Sequence, residues 1–245
     1  MNQEKTPLWI GLRAAKANFV PGLIIQGAMI AIVVAYYNVP QVNAWLSVLA
    51  GIKRDGGLLF SATTAAFAGG VLPELLAIVI FQGGKIRREN FGNLVFNIAL
   101  WGTEGMIVDL FYRAQAGLFG SHVDFPTVLK KVLVDQLIYT PFFATPFGVG
   151  CFEWKHQNYS LQGMSRIFTL KFYKDKSIPA LIASWGVWIP LVSVLYSLPS
   201  LLQFPLFTLG LTFWAMMLTY VTSVQKKKSA LPFSATVGNA SPLQS

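Results

Sequence analysis

The chain has 245 residues, 54% of them hydrophobic, 14% aromatic and only 12% charged. Soluble domains carry about 25% charged residues, so this composition and a mean hydropathy of +0.53 exclude an ordinary water-soluble globule. The net charge of +9 points at first to nucleic acid or an anionic surface, and a single cysteine, Cys151, excludes an intramolecular disulfide and a Cys-based zinc site.

No charge falls between Lys16 and Lys53, a gap longer than the roughly 20 apolar residues that carry a helix across a bilayer. A first span is expected over about Phe19 to Tyr37. Its apolar run is too long for the core of a signal peptide and no small-residue cleavage site closes it, so it is kept as a helix. Asn38-Val39-Pro40 turns the chain, and Val42 to Ile52, too short to cross, is expected at the interface. A second span runs from about Gly57 to Phe81, closed by Gly83-Gly84-Lys85-Ile86-Arg87-Arg88-Glu89. A third covers about Phe91 to Tyr112 and a fourth about Val132 to Phe152. Ser177 to Gln225 is again uncharged, and Pro199 and Pro205 near its middle suggest a hairpin of spans over Ile178 to Leu198 and Leu206 to Val224. The expected fold is therefore an all-α polytopic membrane bundle of about six spans, one domain over residues 1–225. Residues 226–245 form a basic stop, Lys226 to Lys228, and a tail whose composition predicts disorder.

The basic residues separate along this scheme. Fourteen fall on one side, among them Arg13, Lys85, Arg87, Lys155, Lys176 and Lys226, while the other side holds five: Lys53, Arg54, Arg113, Lys130 and Lys131. Positive charge collects on the cytoplasmic side, so both termini are expected to face the cytoplasm or the equivalent compartment of an organelle. Charge spread over separate loops also argues against nucleic acid as a partner; the bilayer is the partner expected.

Ionisable groups within a span are costly and serve as functional hypotheses. Asp109 stands four before Arg113, and Lys131 four before Asp135, spacings that suit helical ion pairs. Glu74 and Glu104 have no such partner on their own helices. Hairpin arithmetic about Gly83 to Asn90 sets Glu104 level with Gly69 and Gly70, beside the small-residue face Ala62, Ala66 and Gly70 that permits close helix approach. Each glutamate either borders a solute path or is a hydrogen-bonded neutral acid. Pro73 frees a backbone carbonyl near Glu74. His122 and His156 have no ligand at metal-binding spacing, so no metal or cofactor is expected. No base and nucleophile are placed together, so an enzyme is not expected either. Trp101, Trp185, Trp188 and Trp214 are candidate interface anchors.

The C-terminal half carries Asp135-Gln136 followed by Pro141, then Leu161-Gln162-Gly163, Trp185-Gly186-Val187-Trp188-Ile189-Pro190, Tyr196-Ser197-Leu198-Pro199, and Trp214 with Tyr220. This order, over about Glu104 to Val224, resembles the Mpv-seventeen and peroxisomal-membrane-protein-twenty-two family of small proteins of the mitochondrial inner membrane and peroxisome. Gly105 to Tyr112 is similar to the family's Gly-Pro-x-x-His-x-Trp-Tyr stretch, with Met106, Asp109 and Phe111 in place of its Pro, His and Trp. Leu195 stands where the family has Asn, and Ile189 separates Trp188 from Pro190. The resemblance implies a divergent member in a bacterial inner membrane or an organellar membrane, a pore-like protein without catalytic activity. It nominates Asp135, Gln136, Pro141, Trp185, Trp188, Pro190 and Pro199.

The sequence is thus expected to encode a channel or pore for small hydrophilic solutes, with Glu74, Glu104, Asp109, Asp135 and Gln136 along the path and a homo-oligomer as one possible assembly. The rival expectations are a proton-coupled carrier that uses Glu74 or Glu104, and a structural protein of the bilayer that passes nothing.

Overall fold

The computed structural model describes residues 6–229, all of whose regular elements are helices. Their starts follow local chemistry. Thr6 accepts the Trp9 backbone N–H at 3.4 Å and Pro7 opens α1 (Pro7–Asn38); Pro40 opens α2 (Pro40–Phe81) directly after the break at Val39. Such prolines sit where a helix has no use for the N–H they lack. After α3 (Arg88–Phe119), Asp124 caps α4 (Phe125–His156) by accepting the Thr127 N–H at 3.0 Å and its hydroxyl at 3.1 Å. That backbone hydrogen bond holds the Asp124 carboxyl below the usual aspartate range. A short α5 (Leu161–Ile167), then α6 (Leu170–Tyr196) and α7 (Ser200–Ser229) complete the described chain.

Five helices are long and apolar enough to cross a membrane: α1 over Asn18–Asn38, α2, α3, α4 and α6. The apolar part of α7 within the described residues, Ser200–Met216, is shorter. Large apolar side chains such as Leu59, Phe91 and Phe142 face outward, mostly exposed, while Met29, Leu191, Leu195, Tyr196 and Leu198 are buried at the centre.

Val42 to Ile52 lies in a helical piece of its own, residues 40–56, which a backbone break at Gly57 (φ 54°, ψ −132°) sets off from the rest of α2, a conformation that costs glycine little and any residue with a Cβ much more. Lys226 to Lys228, the expected basic stop, lie within α7, and the expected disordered segment beyond Ser229 falls outside the described residues.

The α2–α3 hairpin closes on small residues, as expected, but in a different register. A Cβ on Gly105 would stand 2.4 Å from the Ala65 Cβ and 2.7 Å from the Ser61 carbonyl, so only glycine permits this approach. Trp101 covers Gly69. Gly102 and Gly105, not Glu104, therefore meet the Ala62–Ala66 face, and Glu104 lies about one and a half turns from the level expected. The helices end at Phe81 and restart at Arg88, so the turn is centred about two residues before the centre of Gly83 to Asn90, and each residue of shift there moves the pairing by two.

Contacts between helices sort the charges to two ends. Lys53 and Arg113 share Asp109 at one end. At the other, Lys155 donates to Asn93 at 2.8 Å, Lys176 lies 3.8 Å from Glu153, and Gly11, near Arg13, packs on Pro179 and Ile182. Lys53 and Arg113, of one group read from the sequence, thus share an end, and Lys155 and Lys176, of the other group, share the opposite one.

Candidate functional site: a polar-floored cavity in the bundle

Three prolines prepare the site by freeing carbonyls that side chains of other helices then satisfy. From Asp135 to Ala144, α4 is π-helical, with each N–H reaching five residues back, as Thr145 reaches Thr140. Pro141 has no N–H to give to Gln136, and the Trp185 indole donates to that carbonyl at 3.1 Å instead. In the same register Pro146 leaves the Pro141 carbonyl, which accepts the Tyr173 hydroxyl at 3.2 Å. On α6, Pro190 frees the Gly186 carbonyl, and the Gln26 amide of α1 donates to it at 3.1 Å. Apolar surroundings demand such replacements, and each fixes one helix against another. Pro199 sits in the turn before α7, its carbonyl accepting the Leu202 N–H at 2.8 Å.

The widened α4 leaves a cavity of about 410 Å³ between α3, α4, α6 and α7. Its polar part holds Glu104, Asp135, Gln136, Tyr139 and Thr140, and much of its remaining wall is aromatic. Trp188 lies 5.6 Å from Phe207 and 6.1 Å from Trp214 between ring centres. Tyr139 stacks on Phe111 at 4.0 Å. Trp101, Trp188 and Trp214 thus line the cavity and Trp185 bonds to α4.

One end of the cavity is closed by a hydrogen-bond chain. Gln115 donates to the Tyr196 hydroxyl at 2.6 Å, and that hydroxyl donates to Asp135 Oδ2 at 2.6 Å. Asp135 Oδ1 accepts from Gln136 at 2.9 Å and from Thr140 at 3.2 Å. Tyr112 packs edge-on against Tyr196 at 5.3 Å, and buried Leu195 and Leu198 flank the tyrosine. The cavity reaches Glu153 and His156 at its opposite end, where His156 is exposed.

Of the residues expected along a path, the structure brings together Glu104, Asp135 and Gln136, with Trp188 beside them. Glu74 and Asp109 lie elsewhere. Glu74 is buried and accepts the Asn90 amide at 2.5 Å, while Asn90 Oδ1 takes the Arg87 N–H at 2.6 Å, so this carboxylate ties the hairpin turn together. Asp109 does meet Arg113, at 3.0 Å, but its closer partners are Lys53 at 2.7 Å and the Ser61 hydroxyl at 2.8 Å. Lys53 also donates to the Gly57 carbonyl at 3.3 Å, so the cluster clamps the α2 kink to α3. Lys131 does not pair with Asp135. Its ammonium lies over the Tyr196 ring, 6.0 Å from the centre, because Asp135 already has Tyr196, Gln136 and Thr140. Glu104 keeps no hydrogen-bond or ion-pair partner among the described residues, although it lines the cavity.

Tyr196, Gln115, Thr140 and Lys53 are central to these sites and were not among the sequence candidates. A signal existed for the α3 side: Glu104, Val108, Tyr112 and Gln115 recur at helical spacing, one stripe of a helix face. Lys53 carried a signal too, as the first charge after a long uncharged run.

Fold and site together define an all-helical bundle with helices of membrane-spanning length and a polar-floored cavity inside it. Comparison with known proteins finds no family model, no curated protein and no solved structure that matches this chain.

Proposed function

We propose that this is an integral membrane protein that passes small hydrophilic solutes through the cavity between α3, α4, α6 and α7. The observation that carries the proposal is Glu104: a carboxylate inside an apolar bundle, lining a cavity and left without a protein partner. Carboxylates in that setting are costly unless something else uses them, and the neighbouring carboxylates Glu74, Asp109 and Asp135 are all hydrogen-bonded.

The same geometry favours a gated path over an open pore. The chain from Gln115 through Tyr196 to Asp135 closes one end, so solute that enters beside His156 meets a buried plug. A proton-coupled carrier with Glu104 as its protonatable group is the version of the proposal that this closure supports. Planar-bilayer recording of the purified protein tests the distinction, because a carrier gives no unitary current steps while an open pore does. Liposome flux measured beside it tests the broader claim. Absence of both current and flux for a panel of small solutes would leave the bundle a structural component of the bilayer.

A further inference from the structure

The cavity also carries a statement about which solutes it suits. Among the described residues, no Lys or Arg lines it. The ionisable groups on its described wall are Glu104 and Tyr112 of α3 and Asp135, Tyr139, Glu153 and His156 of α4, with Cys151 close to Glu104; α6 and the described side chains of α7 contribute none. Asp135 is saturated by its three donors, and Glu153 is engaged by Gln157 at 3.0 Å and by Lys176. Among the described residues of the wall, the Glu104 carboxylate, the buried Gln136 Oε1 and the Tyr139 hydroxyl are polar groups left without a hydrogen bond. The Gln136 amide cannot be turned to present its nitrogen instead, because Nε2 donates to Asp135 and a reversed amide would set oxygen against carboxylate.

The two acceptors among these, Glu104 and Gln136 Oε1, call for N–H donors, and Glu104 for positive charge. The hydroxyls of Thr140 and Ser184 are already spent on Asp135 and on the Leu181 carbonyl, and a neutral polyol could use the Tyr139 hydroxyl but would bring no charge to balance Glu104. An anion would meet an unpaired carboxylate. The walls add Trp101, Trp188, Trp214 and Phe207, and aromatic faces attract cations, tryptophan most of all. A volume of about 410 Å³ lies within the range of small-molecule pockets.

The structure assigns this cavity, we propose, to a small protonated organic amine whose ammonium N–H groups are taken by Glu104 and Gln136 and whose apolar body lies on the surrounding rings. The assignment rests on the solute-passage reading for its biological meaning, but binding is measurable without any flux.

The test is a fluorescence titration of the purified full-length protein in detergent, following tryptophan emission with 2-phenylethylamine as probe. The neutral isostere 2-phenylethanol, the anion 3-phenylpropionate and the N-trimethyl form of the amine serve as competitors. Saturable quenching by the amine is expected, with the alcohol and the anion at least tenfold weaker and the trimethyl form between them, since it keeps charge and loses N–H. Glu104→Gln should weaken the amine at least tenfold, and Glu104→Asp by less. Equal affinity for alcohol and amine, preference for the anion, or an unweakened Glu104→Gln variant would each overturn the assignment. Should a variant fail to give a monodisperse peak in size exclusion, the ranking of the four probes on the wild-type protein decides alone. Amine binding without liposome flux would support the site and sink the transport proposal; flux of a neutral solute without amine binding would do the reverse.

Discussion

Asp109 and Glu104 stand five residues apart on one helix, and their surroundings are opposite. Asp109 faces α2, from which Lys53 and Ser61 reach it, while Arg113 of its own helix completes the set on its two oxygens, and it is 4% exposed at the side chain. Glu104 faces the cavity and has no partner among the described residues. Charge in a bundle is thus used in two ways. Where donors from another helix saturate a carboxylate, it holds the fold; where they are withheld, it is left for a ligand or a proton. The difference arises from geometry, since Gly102 and Gly105 bring α2 so close that one face of α3 is filled by backbone and short side chains, while the wide π turns of α4 hold the other face open.

The sharpest way to break the contrast is to treat both carboxylates alike. Removing Lys53, as in Lys53→Met, leaves the buried Asp109 with only the half-exposed Arg113 and the Ser61 hydroxyl and should cost up to about 3 kcal/mol, read as a lower midpoint in chemical or thermal unfolding in detergent. Lys53→Met with Asp109→Leu should recover most of that loss. A double variant as unstable as the single would show that the clamp is not the reason for the cost.

Next in size is the close face of α3. Gly105→Ala places a Cβ within 2.4 Å of Ala65 and should destabilise by about 1–3 kcal/mol, the usual cost of overpacking, with partial rescue by Ala65→Gly. Comparable to this is the plug. Tyr196→Phe deprives Asp135 of a donor and Gln115 of an acceptor and should cost about 1–3 kcal/mol. If the plug is also the gate, the same variant raises the rate of downhill solute leak.

The smallest effect expected concerns Asp124, at the start of α4. Its carboxyl is held below the usual aspartate range by the Thr127 N–H. A depressed folded value means that the cap's contribution is complete above the ordinary aspartate range and fades as pH falls through the lowered value. The protection factor at Thr127, its exchange rate relative to the intrinsic rate at the same pH, should therefore fall with acid in a way that Asp124→Asn abolishes, without change in the cavity.

Much of this architecture was legible beforehand because membrane-spanning helices announce themselves by uncharged length and by the placement of Lys and Arg. The long apolar helices α1 to α4 and the break at Val39-Pro40 follow from that signal. The break at Gly57 was not legible, since a glycine in an apolar run marks no φ. Nor was the register of the α2–α3 hairpin, because the polar residues 82–90 do not mark where one helix stops, at Phe81, and the next begins, at Arg88. At the site, Asp135, Gln136 and Trp188 came from the order of motifs, while Tyr196 as the donor to Asp135 required two helices to be placed together. Lys53 was assigned to the loop charges by its position next to Arg54, yet its side chain turns inward to Asp109. Long-range pairing of this kind is settled by helix packing, not by spacing along one helix.

The most direct measurement is solute uptake into liposomes by wild type and Glu104→Gln, each with and without an imposed pH gradient. Glu104 has no protein partner to lose, so the variant should fold with wild-type stability. The expected result is gradient-driven accumulation by wild type, and in Glu104→Gln the loss of accumulation with downhill exchange retained. Equal accumulation by the two proteins, or no uptake by either, would contradict the assignment of the cavity as a solute path with Glu104 at its centre.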